Sequence, residues 1–124
     1  MRKKREEPLL IRLCNKGYSQ AVRRLLELGA NPNAVSRDAS GYTCTALLAA
    51  CARGYAYAHG NASIVEDLLK FGADATQADD VKRTGLHFAA FTGNVAVLRL
   101  LLRAGAPVNV YTRIVLSLPS TKPA

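Results

Sequence analysis

The stretch TGLHFAAFTGNVAVLRLLLRAGA, Thr84–Ala106, decides the fold. It divides at Gly93-Asn94 into two apolar phrases, Leu86–Ala90 and Val95–Leu102, and closes on Gly105-Ala106. Each phrase fits a short helix. Neither helix would be stable alone in water, because nucleation costs more than so few backbone hydrogen bonds return. Thr84 suits the N-cap of the first helix and Asn94 that of the second, each offering a side-chain oxygen to an orphan N–H. Gly105 suits the left-handed residue that ends a helix. The stretch therefore reads helix, turn, helix, loop.

The same phrase stands twice upstream. Gly29-Ala30 and Gly72-Ala73 repeat the closing Gly105-Ala106. Val22–Gly29 and Val65–Gly72 repeat the second helix, and Leu9–Cys14 and Ala46–Cys51 repeat the first. Gly17-Tyr18 and Gly60-Asn61 stand in place of the central turn. Thr45, Asn61 and Ser19 fall at the matching cap positions. Stacking such units buries the Leu pairs, at about 1.5–3 kcal/mol for each fully buried side chain. Small residues such as Ala50, Cys51, Ala89 and Ala90 let neighbouring helices approach closely.

The spacing is 33 residues from Gly72 to Gly105 but 43 from Gly29 to Gly72. The ten extra residues can be placed. Six fall between the helices of the second unit, Tyr55–Gly60, and four lie in the loop before Thr45.

Thr84-Gly85-Leu86-His87-Phe88-Ala89-Ala90 resembles the ankyrin-repeat phrase T-P-L-H-x-A-A. The Gly-Asn, Leu-Leu-Leu and Gly-Ala words at the same period strengthen the resemblance, which covers residues 6–110. It implies an all-α solenoid of three helix-turn-helix units, about 6–36, 37–78 and 79–110, with finger loops between them. Residues 1–5 form a basic tail and 111–124 a non-repeat tail. The resemblance also makes His87 a scaffold residue that ties neighbouring units by hydrogen bonds. Gly85 and Ala46 stand where the family usually has Pro. Gly85 lacks the preset helical φ and is expected to weaken its helix start. Pro8 replaces the capping Thr of the first unit. That unit also carries Arg12, Lys16, Arg23 and Arg24, which suits an N-terminal capping repeat with a wet outer face. After Asn109 no repeat word follows, and the apolar Leu100–Leu102 reads as an internal helix expecting a neighbour. The tail can fold back as a cap, the array can be part of a longer one, or the open face can bind a partner or self-associate.

Composition bounds the function. The chain has 124 residues, 49% of them hydrophobic, and a formal net charge of +8. No apolar run approaches the roughly 20 residues that span a membrane, and no apolar region follows the basic Arg2–Arg5 to make a secretory signal. Cys14, Cys44 and Cys51 leave one thiol unpaired and fit no zinc spacing. Reduced thiols and a cytoplasmic or nuclear location are expected. No catalytic set, cofactor motif or metal-ligand set is read.

The resemblance implies a protein-binding scaffold or adaptor that uses its fingers and the concave face of its first helices. By position, the finger residues are Arg37, Asp38, Tyr42, Asp80, Lys82 and Arg83. The concave-face residues are Arg12, Lys16, Arg53, Phe88 and Phe91. Phe88 and Phe91 can anchor a partner, or pack between units. The basic side chains favour an acidic partner. The second-unit insert brings Tyr55, Tyr57 and His59, and Tyr-rich loops make contact surface at low entropic cost. Asn33 and Asn109 occupy the loop position that asparaginyl hydroxylases modify in some ankyrin proteins. The rival reading is a nucleic-acid or anionic-surface binder working through Arg2–Arg5 and scattered Arg and Lys, although few aromatics are present for base stacking. An enzyme built on Cys44 and His59 finds no supporting spacing. No small-molecule substrate is read.

Overall fold

The computed structural model describes residues 8–37, 41–52 and 58–106. Three helix pairs follow one another: α1 (Leu9–Lys16) with α2 (Ser19–Glu27), α3 (Ala46–Ala52) with α4 (Ala58–Lys70), and α5 (Gly85–Thr92) with α6 (Val95–Arg103). The first helices form one layer, α1 on α3 on α5, and the second helices form another, α2 on α4 on α6. The core runs along the seam of the layers. Ile11, Val22, Ile64, Val65, Leu68, Leu86, Val97 and Leu101 are fully buried there. One short hairpin projects from the first junction. Strands β1 (Val35–Arg37) and β2 (Thr43–Thr45) pair antiparallel, with Ser36 opposite Cys44. A single bridge between Ala78 and Thr84 marks the second junction.

The units end alike because the same backbone chemistry closes each. Ala30 N donates to Leu25 O (3.0 Å) and Gly29 N to Leu26 O (3.0 Å); Ala73 N and Gly72 N repeat this on Leu68 O and Leu69 O (2.9 and 3.1 Å). Ala106 N and Gly105 N do so on Leu101 O and Leu102 O (3.0 and 3.1 Å). This double bond pattern satisfies orphan carbonyls and requires a left-handed residue. The three glycines supply it, with φ of 101°, 102° and 94°.

The caps follow the expectation at Thr45 and Asn94: Leu48 N donates to Thr45 Oγ1 (3.2 Å) and Val97 N to Asn94 Oδ1 (3.1 Å). Two expected caps are corrected. Ser19 is the first residue of α2, with Tyr18 in the cap position and no side-chain bond there. Asn61 lies inside α4, and Gly60 is helical rather than a turn. Part of the insertion is absorbed by lengthening α4 to 13 residues, because extra residues joined to a helix gain backbone bonds that a loop would lack.

Gly85 has a reason that propensity alone misses. A Cβ there would stand 3.1 Å from Cys51 Sγ and 3.3 and 3.4 Å from the two δ-carbons of Leu101. The missing side chain is what lets α5 close on α3 and α6. Burial differs between the second and third units. Leu48, Ala49 and Val65 of the second unit are buried, whereas their third-unit counterparts His87, Phe88 and Leu98 are only half-buried. The second-unit positions are covered by the next unit.

Candidate functional site

The second finger is organised by one buried carboxylate. Asp79, its side chain 3% exposed, accepts through Oδ1 from Val81 N (3.0 Å) and Arg83 N (2.8 Å), and through Oδ2 from Arg83 Nε (2.8 Å). Two backbone bonds complete the turn, Asp79 N to Arg83 O and Lys82 N to Asp79 O, both 2.9 Å. Burial alone would raise the Asp79 pKa. The bonds from Arg83 and Val81, with the Arg83 charge, outweigh it and hold the carboxyl below its ordinary value.

Asp79 thereby aims Arg83. The Arg83 guanidinium carbon lies 5.0 Å from the Phe88 ring centroid and 5.4 Å from that of Tyr42. Both distances are within cation–π range. One arginine thus joins three elements: the Tyr42 end of the first finger, the second finger, and α5. Its side chain stays 41% exposed. Phe88 is half-buried and packs against the core, while Phe91, one turn further along α5, is 77% exposed. Of the aromatic pair, Phe91 is the open ring and Phe88 is the one that lies under Arg83.

Lys82 is exposed beside Arg83 and has a φ of 70°. A side chain in this left-handed region costs roughly 1–2 kcal/mol relative to the right-handed one. The turn made by Asp79 imposes that conformation. Arg37 Nη1 donates to Gly41 O (2.8 Å) and lies 3.7 Å from Asp80 Oδ2, so the finger residues Arg37 and Asp80 engage each other across the junction. Both are exposed, and such pairs contribute little stability. Arg12 and Lys16 are exposed on α1, in the same helix layer as α5. Asp38, Arg53, Tyr55 and Tyr57 lie outside the described residues, as does Asn109. His59 falls near the start of α4, and its side chain is not among those described.

His87 belongs to the scaffold of its own unit. Thr84 N donates to His87 Nδ1 (3.0 Å), and the Thr84 hydroxyl lies 3.0 Å from the same nitrogen. This arrangement requires a neutral ring with Nδ1 unprotonated. Burial lowers the His87 pKa; Asp79 opposes the shift and Arg83 adds to it. Asn33 makes side-chain hydrogen bonds that do cross units: its Nδ2 donates to Gly72 O (3.0 Å) and its Oδ1 accepts from Asp74 N (2.9 Å). Its amide is therefore a bracket between the first loop and the end of α4.

Cys14, Cys44 and Cys51 form no disulfide among the described residues. Burial, reinforced by Cys44, pushes Cys14 up to about 12. Burial, reinforced by Cys14, also raises Cys51. Neither is poised as a nucleophile. Cys44 is half-buried, with its Sγ 3.5 Å from Thr45 O. Among the described residues no group of three or more His, Cys, Asp or Glu could hold a metal ion, and no helix is long and apolar enough to cross a membrane.

Sequence reading chose Asp80 and passed over Asp79. The signal was present: an acid at the start of a turn, four residues before an arginine and five before the capping Thr84. Such an acid can accept the turn's own N–H groups.

Comparison with known proteins agrees with this architecture. The family model for ankyrin repeats (3 copies) matches residues 54–119, and so runs into the segment after Asn109 in which no repeat word was read. The chain is 38% identical over 107 residues to the E3 ubiquitin-protein ligase XBAT33 of Arabidopsis thaliana, covering 86% of this chain and 18% of that one. It is 42% identical over 93 residues to the probable E3 ubiquitin-protein ligase XBOS33 of Oryza sativa subsp. japonica, covering 74% of this chain and 16% of that one. It is 34% identical over 96 residues to cyclin-dependent kinase inhibitor 2A of Monodelphis domestica, covering 77% of this chain and 50% of that one. The chain thus spans half or less of each of these relatives. Ankyrin repeats generally mediate protein–protein interaction. The helix pairs, their common closure, the stacking in two layers and the family match converge: this chain belongs to the ankyrin-repeat family.

Proposed function

We propose that the chain is a protein-interaction scaffold that docks a partner on the α5 side of its first-helix layer, with the finger residues at the rim. The carrying observation is the exposed Phe91 beside the Arg83 cluster on Tyr42 and Phe88. Aromatic and arginine side chains held on rigid elements are the usual energetic centre of an interface. Lys82, exposed beside Arg83, adds positive charge at that centre, and Arg12 and Lys16 are exposed on α1 of the same helix layer; positive potential of this kind steers acidic partners and suppresses basic ones. The role is binding rather than catalysis. The three cysteines, an odd number in no zinc spacing, fit a reducing compartment, cytosol or nucleus.

The test is affinity capture from cell lysate with the full chain as bait, with and without nuclease. The control bait carries Phe91→Ala and Lys82→Glu, checked for folding by circular dichroism. Phe88 is left intact because it packs against the core. A nuclease-resistant protein captured by the native bait and lost from the folded variant supports the reading. Recovery only of nucleic-acid-dependent, salt-labile material contradicts it and moves the function to the basic surface.

A further inference from the structure

We infer that Arg83 is a preset fork for the carboxylate of an acidic protein segment, and that Phe91 seats an apolar residue of the same segment beside it. The inference rests on the docking reading above and names the chemistry of the partner.

Three observations carry it. First, the guanidinium already has partners within the fold. Its Nε is committed to Asp79 Oδ2, and two aromatic rings lie within cation–π range of it. Ordering a free arginine costs side-chain entropy at the moment of binding; here that ordering belongs to the fold. Second, the commitment is partial. Among the described residues the side chain donates only through Nε, and it is 41% exposed. The two terminal nitrogens therefore remain as a pair of parallel donors, the arrangement that matches the two oxygens of one carboxylate. Third, the charges around the fork favour an anion. Asp79 and Asp80 are each engaged by an arginine of this chain, while Lys82 is exposed next to the fork with no ion pair among the described residues. Phe91 lies three residues beyond Phe88, one helical turn away and on the same side of α5, so an apolar anchor and a charged anchor share one small surface.

The same geometry argues against nucleic acid as the occupant. Base stacking needs open aromatic faces. Tyr42 and Phe88 are half-buried and already hold the guanidinium, which leaves Phe91 as the exposed ring of this cluster.

The experiment uses the full chain, immobilised and panned against a display library of random dodecamer peptides at moderate salt. The enriched peptides are then synthesised and their affinities measured. The expected result is enrichment of Asp or Glu together with an aromatic or large aliphatic residue. Changing the peptide acid to its amide is expected to weaken binding about tenfold or more against the native chain, the range of a charge-assisted bidentate contact. The same change is expected to have almost no effect against Arg83→Gln. Arg83→Lys, which keeps the charge and loses the fork, is expected to behave nearly as Arg83→Gln does. Should Arg83→Gln fail to fold, Arg83→Lys and the pair Tyr42→Leu and Phe88→Leu carry the comparison. Lys70→Glu, on α4 away from the cluster, is expected to leave affinity unchanged. Peptides that need Phe91 but show no acidic enrichment and no dependence on Arg83 overturn the fork while leaving the docking surface in place. A single-stranded RNA of similar length bound as tightly, with the same Arg83 dependence, overturns the choice of partner. Recovery of no peptide above a folded control protein overturns the fork and the docking surface together.

Discussion

Lys82 holds a conformation that its side chain disfavours. The turn around Asp79 needs a left-handed residue at that place, and Lys82 supplies it at φ 70°. Lys82→Gly is expected to stabilise the chain by about 0.5–1 kcal/mol, the relief of left-handed strain less the greater freedom of glycine in the unfolded state. The denaturant midpoint should rise with an unchanged slope, and a fall would contradict the turn geometry. His87 gives a pH signature. Its folded pKa lies below the ordinary histidine value, so the unfolded chain takes up the proton first. The stability is fully present above about pH 6.5 and is lost as pH falls through the lower folded pKa. His87→Gln keeps an acceptor for the Thr84 N–H without titrating in this range. It is expected to match the native chain within about 1 kcal/mol near neutral pH and to reduce the loss between neutral and mildly acid pH. Urea midpoints across that range measure both.

At the scale of elements, the α3–α5 contact turns on an absent side chain. Gly85→Ala gains helix propensity of about 0.5–1 kcal/mol but places a methyl 3.1 Å from Cys51 Sγ. Overpacking of this kind costs about 1–3 kcal/mol. Gly85→Ala is therefore expected to destabilise the native chain and to cost measurably less in a Cys51→Ala background. The coupling should exceed about 0.5 kcal/mol in a double-mutant cycle; additive effects would contradict the close approach. The first junction depends on Asn33 instead. Asn33→Ala leaves Gly72 O and Asp74 N without their side-chain partner. It is expected to cost about 1 kcal/mol, because water replaces only part of each bond. Amide exchange at Asp74 should quicken more than exchange in the core of α6.

Across the whole molecule, the parts legible in the sequence are those whose chemistry is local. The closing Gly-Ala words fixed three helix ends, since only a left-handed residue completes that double bond. The Leu phrases marked the buried face because the helical period leaves few alternatives. Phe91 was named with Phe88 by position in the repeat; of the two, Phe91 is exposed and Phe88 packs against the core. The failures lie where a long-range contact decides. Asn61 resembled a cap, but the lengthened α4 absorbed it. Gly85 looked like a weak helix start, and Cys51 and Leu101, distant in sequence, give it a packing role. Asp79 was missed because its importance comes from burial and three simultaneous bonds, which no single residue pattern displays.

These scales meet in one claim, that the array docks a protein through the surface around Phe91 and Arg83. The most direct test is a backbone amide spectrum of the isotopically labelled chain, recorded with and without a captured partner or an enriched peptide. The account predicts that perturbed amides cluster at Tyr42, Lys82–Phe88 and Phe91, with α2, α4 and α6 little affected. Perturbations confined to those second helices, or spread along the basic residues without regard to the α5 face, would contradict it.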